Sequence, residues 1–192
     1  MQKPVFSVEE ARRVAWKTSP AVFQLQLHHW TKNGELARIR RGIYGFPDLI
    51  KDKTEVARAL YGPAYISLEY ALNIYYDLIP DVAFGITLVT TRVTRKFSTP
   101  YGAFYYHKIR PDLFWGYDPA TLQGEREKVL IDYLYFKRGR LIPKPDFWDS
   151  MRWQNLDEVD FTKAKRYAKR FPKKVSRLIH SLEEYGKTQK TR

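Results

Sequence analysis

Apolar residues at Val8, Ala11 and the pair Val14–Ala15 repeat at the spacing of one helix face, and Ser7 followed by Glu10 has capping-box spacing. The pattern predicts a short helix over 8–16. Lys17-Thr18-Ser19-Pro20 reads as a tight turn into a second helix, with Ser19 as N-cap and Pro20 at the first helical position. That helix, AVFQLQLHHWTK, stops at Asn33-Gly34, a C-cap signal. Phe23, Leu27 and Trp30 lie on one face; Ala21, Gln24, Leu25, His28 and Lys32 lie roughly opposite. In LARIRRGIYGFP the period shortens to two. Arg38 and Arg40 share a strand face, Ile39 points the other way, and Arg41-Gly42 sits where a hairpin turns.

Further helical spacing within 48–62 (Val56, Ala59, Leu60) ends before Gly62-Pro63. Ser67 is placed to cap a helix over about 68–77. ITLVTT is strand-like, and RKFS, the Pro100-Tyr101-Gly102 turn and AFYYHKI complete two or three antiparallel strands. A long helix over about 122–137 has Val129, Leu130, Tyr133 and Leu134 as its buried stripe. Pro143 and Pro145 mark a loop. Phe161, Ala164 and Ala168 give a helix ended by Pro172, and Val175, Leu178, Ile179 and Leu182 give another. The whole predicts an α+β chain: a winged helix-turn-helix over 1–47, a linker helix over 48–62, and a mixed domain over 63–192 with a small antiparallel sheet and C-terminal helices.

Charge changes the picture more than composition does. The net +13 is distributed as +5 over residues 1–47, −1 over 48–160 and +9 over 161–192. A near-neutral body with two basic ends suits a polyanion, because each phosphate contacted releases counterions. In winged-helix geometry the second helix enters the major groove and the hairpin reaches a neighbouring backbone. That assigns Lys17, Thr18, Ser19, Gln24, His28 and Lys32 to the DNA-facing helix and turn, and Arg38, Arg40 and Arg41 to the wing. Lys163, Arg166, Lys169, Arg170, Lys173, Lys174 and Arg177 surround the apolar stripe of the C-terminal helices and are candidates for additional phosphate contacts on DNA or RNA, against the alternative of a solvated face.

Catalytic chemistry finds little support. With no cysteine there is no disulfide, thiolate metal site or thiol nucleophile. The glycines form neither a P-loop nor G-x-G-x-x-G, and no serine stands in G-x-S-x-G. His107 has no second ligand nearby in sequence. Pro80-Asp81 or Pro111-Asp112 with Glu127 and Lys128 faintly suggests a metal-dependent nuclease, but Glu125 and Glu127 are two apart on a predicted helix, about 200° around its axis. Glu127, Lys128 and Asp132 are better read as a solvated helix face. No cofactor and no metal are expected, and no enzyme activity. No apolar run reaches the roughly 18 residues of a membrane span, and the N-terminus lacks a signal peptide's apolar stretch, so a cytoplasmic protein with no membrane partner is expected.

SPAVFQLQLHHWTKNGELARIRRGIYGFP, AYISLEYALNIYYDLIP, ITLVTTRVTRKFSTPYGAFYYHKI and GEREKVLIDYLYF resemble, in order and spacing, four blocks of the AbiE-type abortive-infection antitoxins and transcriptional regulators. The resemblance runs from about Phe6 to about Leu182. It implies a winged helix that represses its own operon on an inverted repeat, and a C-terminal domain opposing a nucleotidyltransferase-like toxin in a type IV toxin–antitoxin pair, without need of a stable complex. Two features depart from the family. Gly124-Glu125-Arg126 precedes Glu127-Lys128, where a small residue and a proline are usual. A further helix usually precedes the one at 8–16, and only seven residues do here, so Phe23, Leu27 and Trp30 are expected to lack one wall unless the helix at 51–60 or a partner covers them. The competing expectations are a degenerate regulator acting only as a protein- or RNA-interaction module and, less favoured, the nuclease.

Overall fold

Ser7 does two jobs at once. It ends strand β1 (Val5–Ser7) and caps helix α1 (Val8–Val14): its hydroxyl accepts the Glu10 N–H at 3.1 Å, while the Glu10 carboxylate accepts the Ser7 N–H at 2.8 Å. The computed structural model describes residues 3–80 and 84–189. Helix α2 (Pro20–Lys32) begins with the Ser19 hydroxyl accepting the Val22 N–H at 3.4 Å and ends at Asn33, with Gly34 at φ +79°. Strands β2 (Ala37–Arg40) and β3 (Ile43–Gly45) form the hairpin, turned by Arg41 and by Gly42 at φ +80°.

β1 was not visible in the apolar pattern, since three residues are too few to establish an alternation. It pairs antiparallel with β3, giving the strand order β1-β3-β2. Phe23, Leu27 and Leu36 form the centre of this small core, with Phe6, Val8, Ala11, Ala15, Tyr44 and Phe46 half-buried around them. Trp30, expected on the same buried face, is 37% exposed. Helix α3 (Lys53–Leu60), capped by Asp52, packs against β1 and buries Val56, Ala57 and Leu60; Ala57, not Ala59, is the buried alanine.

The chain divides into two compact units, residues 1–63 with 96–104, and residues 64–95 with 105–192. The second contains β4 (Ala64–Ile66), α4 (Leu68–Ile74), β5 (Ile86–Thr90), α5 (Arg126–Lys137), α6 (Pro145–Ser150), α7 (Phe161–Ala168) and α8 (Lys173–Gln189). The hairpin β6 (Arg95–Thr99) and β7 (Gly102–Lys108) completes a sheet of order β4-β5-β7-β6, and β5 is buried at every position. Helix α5 is the hub, packed by α4, α7 and α8. Pro145, read from the sequence as part of a loop, instead opens α6, where a proline fits because its missing N–H has no helical partner to lose. Trp148 of α6 is fully buried, its indole N–H donating to the Ser181 hydroxyl at 2.9 Å.

Among the described residues the fold is therefore α+β, with eight α-helices and two small sheets. No described helix is long and apolar enough to cross a membrane.

The capping box generates a pH prediction. A hydrogen bond from the Lys3 ammonium, followed by the Ser7 N–H, lowers the Glu10 pKa to about 2. Its folded-state value lies below the ordinary 4.5, so the associated stability is complete above pH 4.5 and is lost as the pH falls through about 2. Glu10→Gln should therefore lower the urea midpoint of the first unit near neutrality and converge with wild type near pH 2. Equal separation of the two midpoints at both pH values would show that the carboxylate's charge contributes nothing.

Candidate nucleic-acid interface and a buried lysine–aspartate pair

In the first unit, Gln24, His28 and Lys32 are exposed at i, i+4 and i+8 on α2, while Phe23 and Leu27 are buried. Leu25, 58% exposed, stands among them. The His28 and His29 rings meet edge to face at 6.2 Å. Ahead of α2, the Lys17 ammonium lies 5.1 Å from the Trp16 ring centre, the Thr18 N–H is taken by the Ala15 carbonyl at 3.0 Å, and Ser19 is engaged as the cap. Arg38 and Arg41 are exposed and take no ion pair among the described residues. Arg40 is different: its guanidinium stacks 4.6 Å from the centre of the Phe97 ring, which also meets Tyr61 at 5.7 Å. The hairpin thus presents Arg38 and Arg41 outward, while the Arg40 guanidinium stacks on an aromatic neighbour.

In the second unit the seven basic candidates split. Arg166, Lys169, Lys173, Lys174 and Arg177 are exposed along the end of α7 and the first turns of α8. Arg170 donates to the Asp112 carbonyl at 3.0 Å and stacks 4.7 Å over Trp115. Lys163 bridges Glu125 at 3.0 Å and Glu127 at 3.1 Å. Against a desolvation that lowers it, hydrogen bonds to those two carboxylates hold the Lys163 pKa above its ordinary value.

The acidic cluster differs from its sequence reading. Glu125 is the N-cap residue of α5 with extended backbone, so the helical angle between it and Glu127 does not apply and both carboxylates reach Lys163. Glu127, Lys128 and Asp132, expected on a solvated face, are buried, Lys128 and Asp132 completely. The physical reason is that every residue from Glu127 to Leu134 is buried, the Lys128–Asp132 side being covered by Tyr65, Trp115 and Phe171, which leaves no face of that stretch to water.

Lys128 and Asp132, one turn apart, are ion-paired. The Asp132 carboxylate also accepts from the Tyr65 hydroxyl at 2.6 Å and the Ser67 hydroxyl at 3.1 Å, and the Lys128 ammonium donates to the Tyr65 oxygen at 2.6 Å. The ammonium lies 5.1–5.5 Å from the ring centres of Tyr65, Trp115 and Phe171. Burial pushes the Lys128 pKa down and that of Asp132 up, each opposed by the other's charge. Sequence reasoning missed Tyr65 and Ser67, which stand more than sixty positions from Asp132.

Ser67 also departs from its expected role. It sits at the N-cap position of α4, but its hydroxyl goes to Asp132. Thr87 of β5 replaces it, accepting the Tyr70 N–H at 3.0 Å and donating to the Ser67 carbonyl at 2.6 Å. The Ser67 hydroxyl is engaged as a donor to the carboxylate, a charge-assisted bond, and makes no cap hydrogen bond of its own.

The other chemical candidates are dispersed. Asp112 pairs with Arg110 at 2.5 Å, and Asp81 lies outside the described residues. His107 is half-buried against Phe136, and burial pushes its pKa down. Among the described residues no group of three or more His, Asp or Glu side chains is placed to hold a metal ion. No protein-family model matches the chain, and no curated protein matches it significantly.

Breaking the buried pair should be costly, while replacing it whole should not. Asp132→Ala leaves an uncompensated ammonium and is expected to destabilise the fold by about 3–5 kcal/mol. Lys128→Met combined with Asp132→Leu should recover most of that loss. Urea titrations of wild type, Asp132→Ala, Lys128→Met, Asp132→Leu and the Lys128→Met/Asp132→Leu double variant measure it; a double-variant loss equal to the sum of the Lys128→Met and Asp132→Leu losses would show that the two groups do not act as a pair.

Proposed function

We propose that this protein is a DNA-binding repressor of a type IV toxin–antitoxin operon of the abortive-infection kind, and that its second unit opposes the cognate nucleotidyltransferase-like toxin. The observation that carries the first part is the order β1-α1-α2-β2-β3 with β3 central in the sheet, because it leaves the α2 face of Gln24, His28 and Lys32 exposed and sets an Arg-tipped hairpin at the sheet's edge. That arrangement supports a winged-helix reading, with α2 as the groove helix and the β2–β3 hairpin as the wing. The antitoxin part rests on the four-block sequence resemblance.

In this reading α2 lies in the major groove. Gln24 and His28 meet base edges, and Lys32, Lys17 and Arg38 neutralise phosphates. Arg41 at the hairpin turn reaches the neighbouring backbone, and Arg40, stacked on Phe97, holds the hairpin's direction. Thr18 and Ser19 serve at the mouth of α2, where backbone N–H groups favour an anion. On the second unit, Arg166, Lys169, Lys173, Lys174 and Arg177 supply further phosphate affinity, whereas Lys163 and Arg170 act through their internal partners. The mechanism needs no cofactor, metal or catalytic group.

A titration of the DNA upstream of its own reading frame against a scrambled duplex, at low and raised salt, tests the reading. Arg38→Ala should weaken binding to both duplexes and reduce the slope of log affinity against log salt by about one. Gln24→Ala or His28→Ala should instead erode the preference for the native duplex by about 1–3 kcal/mol. Equal affinity of wild type for the two duplexes would overturn sequence-specific repression and leave only a polyanion surface.

A further inference from the structure

Leu25 is two residues from Phe23 and two from Leu27, the side chains that α2 buries. At about 100° per residue it stands roughly 160° around the axis from each, on the side of the helix turned away from the core. It is 58% exposed there, whereas Phe23 is 4% and Leu27 5%. The side of an amphipathic helix that faces away from a core ordinarily carries polar residues. Ala21 lies one turn before Leu25, His28 and His29 one turn after it and Lys32 two turns after it, and all four are exposed. The outermost ridge of α2 therefore has an apolar first half and a second half of imidazoles and an ammonium, with Gln24 at its flank.

Charge and polarity select what can cover this ridge. From Lys17 to Gly34 the chain contains no acid, and Lys17 ahead of α2 and Lys32 at its end are both exposed, which suits a groove walled by phosphates. Within the major groove every base pair presents donors and acceptors, and the one carbon group among them is the C5-methyl of thymine. A leucine side chain neither donates nor accepts. Pressed on a polar base edge it would strip water from that edge and return no hydrogen bond. Pressed on a methyl it removes apolar surface of both partners from water. The side chain at the centre of the ridge thus matches one base and disfavours the others.

We propose that Leu25, with Ala21 beside it, is a specificity-determining residue that takes a thymine methyl group in the major groove. The inference rests on the DNA-binding function proposed for α2, and it adds an apolar contact to the polar ones of Gln24 and His28.

The test is a titration of the full chain with the duplex from upstream of its own reading frame, each thymine replaced in turn by deoxyuridine, which pairs identically but lacks the methyl. At one position, or at a pair related by the site's symmetry, the replacement should weaken wild-type binding about fourfold per methyl. Leu25→Ala should bind the unmodified duplex more weakly by a similar factor and be indifferent to that same replacement. Circular dichroism of the variant should match wild type, since alanine keeps helix propensity and Leu25 is not part of the core. Native-duplex preference unaffected by every replacement would overturn the inference while leaving the DNA-binding reading in place. So would a methyl effect that persists in Leu25→Ala, or a Leu25→Ala chain that binds the native duplex as tightly as wild type. Equal affinity of wild type for native and scrambled duplexes would overturn both.

Discussion

Lys128 and Asp132 carry opposite charges to a place that water does not reach, and much of the second unit is arranged to make that tolerable. A buried ion pair gains little net stability, but it is exacting about its neighbours, since every unused donor or acceptor adds to the cost of burial. The Tyr65 hydroxyl and the Ser67 hydroxyl complete the carboxylate, which ties β4 and the start of α4 to α5. The methylene stem of Lys128 lies against Gly116, at φ +74°, where a Cβ would stand 2.9 Å from the lysine Cγ. Trp115 and Phe171 close the aromatic surround, and Arg170, stacked on Trp115, brings the end of α7 to the same place. One pair on one helix thus sets the mutual positions of a strand, a loop and three helices.

The first unit is built on the opposite plan. Its centre is three side chains, Phe23, Leu27 and Leu36, and local devices do most of the ordering: a capping box at Ser7, a serine cap and Pro20 at α2, Gly34 and Gly42 in left-handed conformations. Such a framework orients an exposed helix face and a hairpin with few buried contacts. It also leaves apolar surface that a larger core would have consumed. The basic side chains follow a division of labour, in which Arg40 gives its cation to an aromatic ring while Arg38 and Arg41 keep theirs at the surface.

The same contrast explains what was readable from the sequence. Caps and turns act over three or four residues, and Ser7, Ser19, Asn33-Gly34 and Arg41-Gly42 each marked the boundary that the structure displays, whereas the helix expected to run to Pro172 ends at Ala168. Strands β1 and β4, three residues each, are strands because of what they pair with, and their partners lie far along the chain. The polar character of Lys128 and Asp132 suggested water, but Tyr65, Trp115 and Phe171, distant in the sequence, close over their side of the helix. Ser67 was legible as a cap by type and position, but its hydroxyl donates to a distant carboxylate and Thr87 accepts the helix N–H in its place. The exposed residues of α2 and the hairpin were legible because surface patterning is local; the stacking of Arg40 on Phe97 was not.

The borrowed cap of α4 has a bearing on how the second unit assembles. The amide of Tyr70 is held by Thr87, seventeen positions later and on another element, so the first turn of α4 has no side-chain cap of its own until β5 is in place. Helix and strand must then form as one cooperative piece, with α5 joined through Ser67 and Asp132. In amide hydrogen exchange, the start of a short surface helix would behave as part of the sheet, and the slow exchange of one backbone N–H would report the docking of three elements.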